Sequence, residues 1–173
     1  MRAARSALAP RVQMAAAVGV VLALALTAAP STPGKLIDAE PVGKYRFSQR
    51  EKCFLKKIND MRANNGKRRL QRDKQLGYVA RRHTRGMASK SAIFHDSDLG
   101  STVTHWKRLG QNVGTGGDCE ELFKAFKHSS GHRANILGAW RFMGVGAEKR
   151  KGRVYVMHIF QSRRNPGNVY KYP

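Results

Sequence analysis

Two histidines stand in settings where an imidazole could act. His132 lies in "KHSSGHRANILGAW", after Ser129, Ser130 and Gly131 and ahead of the apolar pair Ile136 and Leu137. His95 lies in "IFHDSDLG", with carboxylates at Asp96 and Asp98. An imidazole charges and discharges near neutral pH. Two of them brought together can pass a proton, hold a divalent cation or hydrogen-bond a polar ligand. The other histidines read differently. His83 shares a helical face with Leu76, Ala80 and Met87 and reads as a core residue. His105 and His128, beside Trp106 and Lys127, read as exposed, and His158 on a β-rich run could face either way. No Ser-His-Asp order or other activated nucleophile is visible, and an N-cap role accounts for Ser129 and Ser130. No catalytic residue is therefore assigned.

The elements that must bring these residues together can be read locally. Ser48 and Glu51 form a capping box ahead of an apolar face of Phe54, Leu55, Ile58 and Met61, and Asn65-Gly66 ends that helix. A second helix is predicted from Asp73, burying Leu76, Val79, Ala80, His83 and Met87. The stretch "SAIFHDSDLGSTVTHWKRLGQNVGTGG" is polar and punctuated by glycine, so it reads as loop. Asp118 and Glu121 form another capping box, opening a helix through Leu122, Phe123 and Phe126. Ser129 and Ser130 are expected to cap one further turn carrying Asn135 to Leu137. "FMGVGAE" and "RVYVMHIFQ" are β-rich runs around "KRKG", a hairpin. Helices first and an antiparallel pair last predict an α+β fold.

The 173 residues are the length of one domain. Arg2, Arg5 and Arg11 precede an uncharged apolar stretch from Met14 to Ala29. That layout predicts a signal peptide over residues 1–29, or an N-terminal anchor if it is not cleaved. Residues 30–47, with Pro, Gly and no apolar period, read as a linker, 48–161 as the domain and 162–173 as a basic tail. The mature chain is then secreted, monomeric and without a membrane span. In an oxidising compartment Cys53 and Cys119 read as one disulfide, since neither sits in a nucleophile motif. The net charge is +22, and the leader holds three arginines and no acid, leaving +19 on the exported part. A surface this basic is drawn to nucleic acid, anionic lipid or acidic cell-wall polymers. The charges fall in short groups, "KRRLQRDK", "ARRHTR", "EKRKGR" and "SRR", with no aromatics interleaved. That pattern predicts loose adhesion to polyanions rather than specific nucleic-acid recognition.

Taken in order, "IFHDSDLG", "GQNVGTG", "SSGHRANIL", "FMGVGAE" and "VYVMHIFQ" resemble the CAP family in its short bacterial type. These are the cysteine-rich secretory, antigen-five and pathogenesis-related proteins, also called SCP-like. The resemblance covers residues 48–161 and implies an α-β-α sandwich around a three-stranded antiparallel sheet. It also implies a cleft with two histidines and two glutamates, in which some members bind a divalent metal. His95 and His132 match the two histidines. The first glutamate, of the family's Gly-Glu-Asn motif, is Gln111 here, and the second falls near Ser129. The Trp and Pro that usually precede the second histidine are Phe126 and Ser130.

These departures have chemical consequences. Glutamine keeps the shape and hydrogen bonds of glutamate but neither titrates nor carries charge. His95 and His132 without a carboxylate form an incomplete zinc site, so only weak binding of zinc or another divalent cation is expected, and no cofactor is required. Restoring the carboxylate with Gln111→Glu is expected to strengthen zinc binding by about one to two orders of magnitude. The reading is a non-enzymatic extracellular module that binds an envelope component, lipid or small ligand in a His-lined cleft. A metal-assisted or His-based hydrolase is the alternative, and an unspecific polyanion or nucleic-acid binder the third.

Overall fold

The computed structural model describes residues 44–163. The expected signal peptide, residues 30–43 of the linker and residues 164–173 of the tail lie outside the described residues. Helix α1 (Gln49–Asn64) starts at the expected capping box: Glu51 N–H donates to Ser48 Oγ, and Ser48 N–H to the Glu51 carboxylate. Phe54, Leu55, Ile58 and Met61 are all buried. Helix α2 (Lys74–Lys90) is capped by the Asp73 side chain, which accepts from Leu76 N–H. The linker reading needs a correction at its end. Tyr45 is buried, its hydroxyl donates to Val145 O at 3.5 Å, and Arg81 lies over its ring at 4.2 Å.

The stretch expected to be loop holds a one-turn helix, α3 (Leu99–Thr102), and a strand, β2 (Leu109–Gly116). Its glycines hid the strand. Gly114 and Gly116 face Phe126 and Leu122, whose side chains fill the space a Cβ would need. Helices α4 (Cys119–His128) and α5 (Ser130–Leu137) meet at Ser129, which ends one and begins the next. Asp118 caps α4 as expected, but the Glu121 carboxylate accepts from Gly117 N–H rather than closing on Asp118. The capping role expected of Ser129 and Ser130 is not borne out, since α5 begins without a side-chain cap. The hairpin follows as predicted: β3 (Phe142–Arg150) and β4 (Arg153–Gln161) turn at Lys151 and Gly152, both with positive φ.

The sheet has four strands rather than three, ordered β1-β3-β4-β2. Strands β3, β4 and β2 are antiparallel as expected. The addition is β1 (Gln71–Arg72), a two-residue parallel pairing with β3 too short to leave a sequence pattern. Layers on both faces complete an α-β-α sandwich. Val145, Val156 and Phe160 pack against Phe54, Leu122 and Ile136 from α1, α4 and α5. On the opposite face Tyr155, Met157 and Ile159 pack against Leu76, Val79 and Met87 of α2. Contact there is backbone to backbone, because a Cβ on Gly144 or Gly146 would lie 2.2 Å from the α2 main chain.

Cys53 and Cys119 are disulfide-bonded, tying α1 to the start of α4 across a sequence separation of 66 residues. By loop-closure entropy such a link contributes about 4 kcal/mol. Arg62 makes a second tie that its sequence did not announce. It is 2 % exposed, and its guanidinium donates to Arg68 O (2.9 Å), Ile136 O (2.7 Å) and Gly138 O (2.9 Å). Two of these acceptors are carbonyls at the end of α5, which helical bonding leaves without donors. Arg62→Met keeps most of the apolar volume and removes this donor from Arg68 O and Ile136 O, while Gly138 O keeps Trp140 N–H, so urea unfolding should show a loss of about 2–3 kcal/mol. A loss below about 1 kcal/mol would mean that other donors already satisfy them.

Candidate functional site

His95 is presented by a loop that is tied down on both sides. His83, on α2, donates from Nε2 to Phe94 O at 2.7 Å, and its Nδ1 lies 3.9 Å from the Asp96 carboxylate. On the other side the Gln111 amide grips Asp96. Asp96 N–H donates to Gln111 Oε1 and Gln111 Nε2 donates to Asp96 O, both at 3.0 Å. The Asp96 carboxylate in turn accepts from Asp98 N–H. His95 itself is exposed, beside the exposed side chains of Ile93 and Phe94. His83 is thus a half-buried, hydrogen-bonded anchor for the loop rather than the core residue that its helical position predicted.

His132 lies in the first half of α5, half-buried and edge-on to Phe126 at 4.9 Å. Its backbone carbonyl accepts from Asn112 Nδ2 at 3.1 Å. Asn135 donates both to Asn112 Oδ1 and to Gln111 O, knitting α5 to β2. Burial lowers the His132 pKa below the usual imidazole value, and His95 lowers it further. Gln111 holds the residue that follows His95, and its neighbour Asn112 holds the backbone carbonyl of His132. Sequence placed these three in one cleft by resemblance alone. Hydrogen bonds tie Gln111 to both neighbourhoods, through its amide to Asp96 and through its carbonyl to Asn135.

A third imidazole lies beneath them. His158, whose orientation was open, is fully buried among Phe54, Phe126 and Phe160, with ring centroids 4.8–6.2 Å away. Neither ring nitrogen has a hydrogen-bond partner. Burial, with a smaller push from His132, lowers its pKa to about 3. The sequence signal was its place in the alternation Val154, Val156, Phe160, whose face turns out to be the α1 side of the sheet. His105 also departs from expectation: it is half-buried, with positive φ, and its carbonyl accepts from Gln161 Nε2. His128 is exposed as expected.

Residues 55–161 match the model of the cysteine-rich secretory protein family, CAP. The chain belongs to this family. A curated relative, the Bacillus subtilis protein YkwD, is 32% identical over 106 residues, which are 56% of this chain and 41% of that protein. This chain therefore spans about two fifths of that relative's length. Among solved structures, an outer surface protein from Borrelia burgdorferi superposes with a TM-score of 0.63 at 14% identity, covering 69% of this chain and 97% of that one. An extracellular SCP-domain protein from Bacillus anthracis gives 0.60 at 21% identity, covering 66% of this chain and 40% of that one. At these identities the two structures speak for the CAP fold alone.

The metal that the CAP resemblance implies in some members does not find a full ligand set here. Among the described residues no group of three or more His, Cys, Asp or Glu side chains is disposed to hold a metal ion. Gln111, which the resemblance matches to the CAP glutamate, has both amide atoms committed to Asp96. That changes what Gln111→Glu is expected to do. A carboxylate can still accept from Asp96 N–H, but it loses the bond to Asp96 O and sets two acceptors face to face.

Gln111→Glu should therefore cost about 1–3 kcal/mol in urea unfolding at pH 7. The gap to the parent should narrow below about pH 5, where a protonated glutamic acid regains a donor. An unchanged stability at pH 7 would show that the amide pairing is dispensable. His158 gives a second expectation. Its folded pKa is depressed, so the unfolded state takes up the proton first, and stability present above pH 6.5 is lost as pH falls towards 3. Between pH 7 and about pH 5 the loss should be about 2 kcal/mol, much of it removed in His158→Leu. Parallel pH profiles for the two proteins would refute this assignment.

Proposed function

We propose that the protein is an extracellular, non-enzymatic CAP module that takes an envelope component, lipid or other small ligand in the cleft of His95, Gln111 and His132. The observation that carries this reading is the Gln111 amide locked onto Asp96. It puts a group that cannot titrate where an acid-base pair would need one, while holding the loop that presents an exposed His95. With burial lowering its pKa, His132 is neutral at physiological pH, so its ring offers one donor and one acceptor. Such a cleft is equipped to recognise a polar group within a half-apolar setting bordered by Phe126. Zinc binding by two imidazoles alone is weak on this reading.

A His-based hydrolase is the second reading, favoured by that same neutral His132, which is in the form needed to accept a proton. The two separate experimentally. The purified full chain is incubated with an extract of envelope lipids and small molecules, re-isolated, and its bound species identified by mass spectrometry. The expected result is a retained species that falls at least tenfold in a folded His132→Ala variant. Calorimetry should likewise show weak zinc binding that His132→Ala removes. Turnover of ester or amide substrates that disappears in His132→Ala would replace the binding module with the hydrolase.

A further inference from the structure

Away from the histidines, two concavities meet at the start of β2. One is an open groove of about 580 Å3 lined by Lys107, Arg108, Ala139, Trp140, Ser162 and Arg163. The other, about 400 Å3, shares Lys107 and Arg108 and continues past Trp106 to Gln111. No carboxylate lines either one, and the rim carries three cations. The run "HWKRLG" that supplies most of this is not among the basic groups that stand out in the sequence.

The floor of the groove is fixed before any ligand arrives. Trp140 donates from its indole N–H to Asn135 O at 2.6 Å and stacks on Phe160, with centroids 6.0 Å apart and planes at 20°. Arg108 lies over the indole at 4.6 Å and donates to Ala139 O at 3.1 Å. With Arg108 over the ring and Phe160 stacked against it, Trp140 offers the groove an apolar edge rather than a free face. A nucleobase looks for a free aromatic face to stack on. A chain rich in C–H surface and carrying oxyanions needs only an apolar floor and a cationic rim, which this groove supplies.

We propose that the joined groove is a second binding site, for an acidic glycan: a chain of sugar or polyol units bearing phosphate or carboxylate groups. Lys107 and Arg108 grip the oxyanions where the two concavities meet, and Arg163 takes a further one at the outer end. The proposal rests on the reading of the chain as an extracellular binding module; its cations lie outside the histidine cleft, which the groove meets only at Gln111. The net positive charge draws any polyanion in, and contact with the apolar floor and cationic rim of the groove then selects one kind.

The test uses the full chain at about 0.15 M salt, where exposed charges are screened beyond ~8 Å. Tryptophan fluorescence and calorimetry follow titration with poly(glycerol phosphate), polygalacturonate and single-stranded DNA of matched charge. Lys107→Gln with Arg163→Gln removes two groove cations. Lys149→Gln with Arg150→Gln removes the same charge at the hairpin, the far end of the sheet. The groove pair should weaken binding of at least one glycan tenfold or more, and the hairpin pair less than twofold. The glycan that responds identifies phosphate or carboxylate as the recognised group. His132→Ala should leave this binding unchanged, so failure of the histidine cleft and failure of the groove are told apart. Equal losses in both charge pairs, no glycan binding by the parent, or DNA binding as tight and as groove-dependent would each overturn the proposal.

Discussion

Helix α2 rests directly on the backbone of β3, and the functional half of the molecule follows from that contact. Gly144 and Gly146 leave nothing between strand and helix, so any side chain there would lever the helix off the sheet. The position of α2 sets the position of His83, which holds Phe94 O. The other anchor of the same loop, Gln111, belongs to β2, and β2 is registered on β4 residue by residue. His95 is thus hung between a helix and a strand that the same sheet fixes. A loop of polar residues with no core of its own acquires one conformation because both anchors are rigid.

Two electrostatic regimes share this small domain. The sequence is strongly cationic, yet His132, His158 and the Gln111 amide are placed to stay uncharged. The Gln111 amide clamps the loop of His95, His132 is disposed to neutrality, and His158 is buried without a hydrogen-bond partner in an aromatic cage. Burying a group that could charge is costly unless it stays neutral. Attraction at long range and recognition at short range therefore fall to different parts of the molecule.

Much of the framework was legible because its signals are local. The Ser48 and Asp73 caps, the apolar face of α1 and the Lys151-Gly152 turn each depend on neighbours within a few residues. The disulfide followed from cysteine count and compartment. What escaped was set by distant partners. β2 looked like a loop because its glycines accommodate Phe126 and Leu122, which lie in the next helix. β1 exists only because Gln71 and Asp73 find backbone carbonyls beside β3. No local signal marks Arg62, because only the fold brings it to the end of α5. The cleft residues were recognised through family motifs. Spacing alone distinguished neither Gln111 as a loop clamp nor His83 as its counterpart.

The order of strands in the sheet also bears on how such a chain comes into being. Its central pair, β3 and β4, is the last part of the domain to leave the ribosome, while α1 and α2, which cover its two faces, come first. Until Gln161 has emerged, Phe54 and Ile58 on one helix and Leu76 and Val79 on the other have no sheet to cover. Translation therefore delivers both helices before the strands they cover, and neither apolar face is complete until the closing hairpin arrives.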